Sequence, residues 1–148
     1  MLRTFVCAFV FIAICSTPFA MAAEDPAEQR HELMEDVGEA AKPLGEMLKA
    51  EREFDAATAM KSFQVMQDVA AVIGDLFPEG SYVGGEEKAK ETVWSDREGF
   101  NQKLAEFSDA LAVAMAADPQ SLEALEPAAG NVFKVCKSCH EEYRTPGE

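Results

Sequence analysis

Basic residues, cysteines and long apolar runs are all scarce in this chain. Its 148 residues hold 13 Lys and Arg against 27 Asp and Glu, a formal net charge of −14. Nucleic acid and anionic membrane surfaces are gripped by clustered Lys and Arg that displace counterions, so this balance excludes an electrostatic hold on either. A basic partner, or none, is the expectation. The apolar run from Phe5 to Cys15 covers 11 residues, well short of the ~20 that span a bilayer. No paired carboxylates, no nucleophile with a base and no phosphate-binding loop stand out, so the chain does not read as an enzyme. Its length is that of one domain.

The first 22 residues distort these totals. Met1-Leu2-Arg3 is a short positive start, Phe5 to Cys15 is apolar throughout, Pro18 breaks the run, and Ala20-Met21-Ala22 places small residues where a signal peptidase reads them. Residues 1–22 are therefore expected to be a secretory signal peptide, leaving 23–148 as the folded domain with no membrane insertion. Removing them takes away Arg3 and no acid, so 27 acidic groups face 12 basic ones, a balance of −15. Cys7 and Cys15 go as well. The remaining pair, Cys136 and Cys139, cannot form a multiply stapled disulfide framework.

Four segments repeat apolar residues near the 3.6-residue helical period, and none alternates like a strand. Leu33, Met34, Val37, Ala41, Leu44 and Leu48 form the first stripe. Pro43 within it predicts a bend near 38–43, or a regular helix only after it. The second segment runs from about Asp55 to Phe77 and ends at Pro78, after which 78–92 reads as a connection. The third begins near Ser95, where Ser95-Asp96-Arg97-Glu98 reads as a capping box with Trp94 as a staple. Asp118-Pro119 signals the start of the fourth, whose stripe is Leu122, Leu125, Ala129, Val132, Cys136, Cys139 and Tyr143, with Pro127 and Gly130 as interruptions. Four amphipathic helices predict an all-α, antiparallel four-helix bundle.

Cys136-Lys137-Ser138-Cys139-His140 is C-x-x-C-H, the attachment signature of c-type haem. Two thiols three residues apart lie on adjacent helical turns and suit the two vinyl groups of one haem. The imidazole of His140 emerges on the same side, where it can reach the iron. Three other readings remain. A redox C-x-x-C normally opens a helix after a strand, whereas this one lies late in an all-helical pattern. Zinc would take Cys136, Cys139, His140 and His31. A disulfide between i and i+3 would strain a regular helix.

Placed late in an all-helical, secreted chain, the motif resembles that of class II cytochrome c, the cytochrome c′ family. Arg30 to Gly38 looks like the family's R-x-x-x-(L/M/F)-x-x-x-G, and Phe54-Asp55-Ala56-Ala57 like the start of its second helix. Leu76-Phe77-Pro78-Glu79-Gly80-Ser81 resembles its L-F-P-x-G-(S/T) turn, and Lys88-Ala89-Lys90 with Val93-Trp94-Ser95-Asp96 its A-K-x-x-I-W-x-D segment. Cys136 to Arg144 reads C-K-x-C-H-x-x-(F/Y)-(R/K). The resemblance covers essentially all of residues 23–148.

The resemblance implies one covalently bound haem c enclosed by the bundle, in a bacterial periplasm. Cys136 and Cys139 would hold the haem, and His140 would be the proximal iron ligand. Met34 stands at the distal position and Arg30 at the position near the propionates. Arg144 would lie beside the proximal imidazole. Arg30 and Met34, at i and i+4, share a helix face, which accommodates both roles. On the stripe alone, Met34 is as well read as core packing. His31, one position off the stripe, is expected to be partly exposed without chemistry. Two functions follow: single-electron carriage between periplasmic redox partners, with Met34 as a sixth ligand, or an open distal site that binds or sequesters nitric oxide or carbon monoxide. Homodimers through the first two helices are implied as well, although Glu35, Glu39, Glu46 and Lys49 offer no clear apolar seam there. Lys134, Lys137 and Arg144 gather around the motif, so the acidity belongs to the outer bundle more than to the site.

Overall fold

The computed structural model describes residues 25–81 and 89–145. The expected leader, residues 1–22, lies outside them. Asp25 and Pro26 start helix α1, Pro26–Leu48: the Asp25 carboxylate accepts from the Ala27 amide at 2.9 Å, and proline suits the first turn. Regular helix then runs through Pro43, so the expected start after that residue is corrected. A proline there forgoes the donor to the carbonyl four residues earlier and crowds that carbonyl with its ring, but the packing of Leu44 and Met47, both fully buried, carries the helix past it.

Asp55 caps α2, Ala56–Ala70, accepting from the Thr58 amide at 2.6 Å. The expected continuation to Phe77 instead breaks into a 3-10 turn at Ile73–Leu76. There Gly74 comes so close to Leu104 that a Cβ would lie 3.1 Å from its Cδ1. The third segment also starts differently. A one-turn helix, α3 (Thr92–Ser95), precedes α4 (Arg97–Ala117), and Asp96 caps α4 by accepting from Gly99 N at 3.2 Å. Ser95 bonds back to the Glu91 carbonyl. Trp94 packs against the cluster of Val93, Phe100 and Tyr143, its Nε1 donates to the Pro78 carbonyl at 2.9 Å, and its ring meets Phe77.

Asp118, with φ of 39°, closes α4 and opens nothing. Ser121 caps α5, Leu122–Tyr143, which continues unbroken through Pro127 and Gly130. Leu122 is exposed, so the inward stripe begins at Leu125.

Short connections pair α1 with α2 and α4 with α5, and α2 packs on α4, giving the antiparallel four-helix bundle. Phe63, Met66, Leu111, Leu125 and Val132 fill its main core. The contact between α1 and α5 is much sparser, and the gap between these two helices defines the site. A second apolar cluster, built on Val93, Phe100 and Tyr143, backs that gap with Phe77, Leu104 and Cys139. No helix among the described residues is long and apolar enough to cross a membrane.

Candidate functional site

A cavity of about 950 Å³ lies between α1 and α5, at the upper end of the range for small-molecule and cofactor sites. One side is α1, which presents Arg30, Met34, Val37 and Ala41, four residues that recur at helical spacing. The other is α5, which presents Phe133, Cys136, Cys139, His140 and Tyr143, with Arg144 just past its end. Ile73, Phe77, Val93, Phe100 and Leu104 close it with apolar surface. The cluster of aromatic rings is tight: Phe77 meets Phe100 edge-on at 4.7 Å, and Phe100 meets Tyr143 at 5.3 Å.

All three chemical residues of the C-x-x-C-H motif therefore face one apolar cavity, with Met34 on its opposite helix. Cys136 and Cys139 form no disulfide with each other. Burial is the main cause that pushes both above the ordinary thiol value, Cys139 to about 11. At neutral pH they stay protonated, the opposite of the low-pKa thiolate a redox C-x-x-C needs. His140 moves the other way: partial burial first, then the Arg144 guanidinium, lower it below the ordinary imidazole value. The neutral ring, whose nitrogen lone pair can bind a metal, is thus the favoured form. Two anchoring thiols, one neutral imidazole and a cavity with apolar walls together fit a haem. A four-ligand zinc set is not assembled among the described residues. His31 is on α1, largely exposed, 3.4 Å from Glu35 at the cavity rim.

Arg30 is unlike a solvated helix-start arginine, being only 3% exposed. Its Nη1 donates to the Leu76 carbonyl at 2.7 Å and to Ser81 Oγ at 3.1 Å, and its guanidinium lies 4.7 Å from the Phe77 ring centroid. It borders the cavity while holding the 76–81 turn that aims Phe77 inward. Arg97 grips the same turn from α4, donating to the Phe77 carbonyl at 2.8 Å.

Sequence reasoning expected the Phe residues to wall the core or cover the edge of a bound group, and missed Arg97 and the aliphatic part of the wall, Ile73, Val93 and Leu104. The apolar periodicity flagged most of these residues as inward, but inward toward a core and toward a ligand cavity are the same signal on a helix. Arg97 carried no signal at all, because its partners are backbone carbonyls.

Comparisons with known proteins point to one family and one fold. The family described as cytochrome c′ matches residues 25–144. A cytochrome c-554 of Cereibacter sphaeroides is 36% identical over 128 residues, 84% of each chain. A solved cytochrome c′ from Rhodopseudomonas palustris superposes with a TM-score of 0.81 at 32% identity, covering 85% of this chain and all of that one. A solved nitric oxide complex of a single-residue variant of cytochrome c prime from Alcaligenes xylosoxidans superposes at 0.73 with 27% identity, covering 83% of this chain and 96% of that one.

Proposed function

The chain belongs to the cytochrome c′ family, whose members carry one covalently attached haem c, and from that premise we propose that it is a periplasmic carrier of single electrons. The observation that carries this reading is the convergence of Cys136, Cys139 and His140 on one apolar cavity with Met34 across it. When bound, the haem supplies a one-electron ferric–ferrous couple.

The protein's residues do the rest. Cys136 and Cys139 would hold the group through two thioether links, and His140, kept neutral by burial and by Arg144, would provide the proximal ligand. Phe77, Phe100, Leu104 and Phe133 keep water from it, which lowers the local dielectric and so biases the potential. Met34 would be the sixth ligand, and Arg30 would offer its positive charge on the propionate side. The leader, residues 1–22, directs export. Redox proteins are the partners.

A second reading is the binding or sequestering of nitric oxide or carbon monoxide at an open distal site. It is favoured by the nitric oxide complex known for the Alcaligenes relative and by the apolar Val37 and Ala41 beside Met34. An optical spectrum of the full chain with haem separates the two. Electron carriage predicts a low-spin ferric spectrum that Met34→Ala converts to high spin, whereas a wild-type high-spin spectrum unchanged by Met34→Ala defeats ligation and favours the gas-binding reading. Absence of a Soret band would sink both.

A further inference from the structure

The last turn of α5 is held by more contacts than helix capping alone requires. An α-helix leaves its final four carbonyls without partners inside the helix. Here those of residues 140–143 are all satisfied, and three of them by one short segment of another part of the chain. The Arg144 amide donates to His140 O at 3.1 Å. Lys90 donates from Nζ to Glu141 O at 2.8 Å and from its backbone amide to Tyr143 O at 2.9 Å. Thr92 donates from Oγ1 to Glu142 O at 3.2 Å. Ala89 and Arg144 form an antiparallel bridge beside them.

A side-chain bond completes the arrangement. The Tyr143 hydroxyl donates to Asp96 Oδ2 at 2.8 Å, while the other oxygen of that carboxylate caps α4 by accepting from Gly99 N. The pair sits where residue 99 has no side chain: a Cβ there would come within 2.6 Å of the Tyr143 oxygen and would also collide with the Asp96 carboxylate. Tyr143 itself is only 4% exposed, and its ring is packed edge-on against Phe100. It lies one helical turn beyond His140, on the cavity side of α5.

We infer that Tyr143 and Asp96 are a positioning pair for His140, locking the helical turn that carries the imidazole to the N-terminus of α4. The inference rests on the reading of His140 as the proximal ligand. The physical reason is local. The final turn of a helix frays unless its carbonyls are tied, and a ligand on a fraying turn samples many iron–imidazole orientations. Residues 89–92 tie the carbonyls and Tyr143 ties the side-chain face, so His140 is presented in one orientation before any group is bound. Preorganisation of this kind fixes ligand strength and, through it, the potential.

The test is Tyr143→Phe in the full haem-loaded chain, which removes one hydroxyl and keeps the ring against Phe100. Amide hydrogen exchange at residues 141–144 should become roughly five-fold faster, the equivalent of one ordinary hydrogen bond. The iron–imidazole stretching band should broaden or shift, and Asp96→Ala should reproduce both changes. Thr92→Val, which removes a separate tie to the same turn, should produce a smaller change of the same sign. Unchanged exchange at 141–144, or acceleration spread evenly over all helices, would overturn the pairing. His140→Ala distinguishes the premise: if the haem spectrum survives that substitution, His140 is not the ligand, and the exchange result then describes a helix tie with no iron to position.

Discussion

Arg30 Nη1, near the start of α1, donates to the carbonyl of Leu76 at 2.7 Å across 46 residues of sequence. One buried guanidinium thereby couples the first helix to the turn that supplies Phe77 to the cavity wall, and it stacks on Phe77 as it does so. Arg30→Met would keep much of the packing stem while removing the donors, leaving the Leu76 carbonyl without this partner. We expect a loss of about 2 kcal/mol in denaturant unfolding of the haem-loaded protein, together with a shift in the haem absorption as Phe77 moves. A variant as stable as the parent would show that the 76–81 turn holds itself.

Ala50 follows the C-cap of α1 with φ of 58°, a left-handed backbone that glycine adopts without strain. The Glu51 amide reaches back to Glu46 O at 2.8 Å and the Ala50 amide to Met47 O at 3.0 Å, the closing bonds of a Schellman turn. Ala50→Gly relieves the Cβ crowding, and its exposed position sacrifices no packing. The melting temperature should rise by a few degrees, corresponding to about 1 kcal/mol. A fall would mean that unfolded-state entropy outweighs the strain.

Asp55, the cap of α2, is held below its ordinary value of 3.8 chiefly by hydrogen bonding from Thr58, first its side chain and then its amide. Because its folded value is depressed, the stabilisation it gives is complete above the unfolded carboxylate range. It disappears as pH falls through the lower folded value. Melting temperature measured between about pH 5 and pH 2 should therefore drop less steeply for Asp55→Asn, which still caps but does not titrate. Parallel curves for the two proteins would remove Asp55 from the acid sensitivity.

Much of the fold was legible because helices advertise themselves through local periodicity. The stripe through Leu125, Ala129, Val132, Cys136, Cys139 and Tyr143 is inward along its whole length. Helix starts were less legible. Ser95 and Asp96 both have cap chemistry, and the choice fell to Asp96 because Ser95 is taken up in a separate turn that bonds back to Glu91. Asp118-Pro119 looked like a start, yet a left-handed Asp118 ends α4 and leaves Ser121 to cap α5. Pro43 and Pro127 read as breaks, but buried neighbours on the same helices outweigh one lost backbone donor.

The sequence by itself determined the chemistry: C-x-x-C-H is a contiguous pattern, and the spacing of two thiols and an imidazole on one helix face follows from 3.6 residues per turn. Where that face would look was decided by tertiary structure. The sparse contact between α1 and α5 opens the cavity, the 73–81 turn held by Arg30 and Arg97 closes its side, and Tyr143 with Asp96 secures the turn that carries His140. Each of these contacts joins residues more than 15 positions apart through a carbonyl or a single carboxylate oxygen. Backbone carbonyls are the same at every residue, so no local pattern of side chains marks which of them a distant donor will meet.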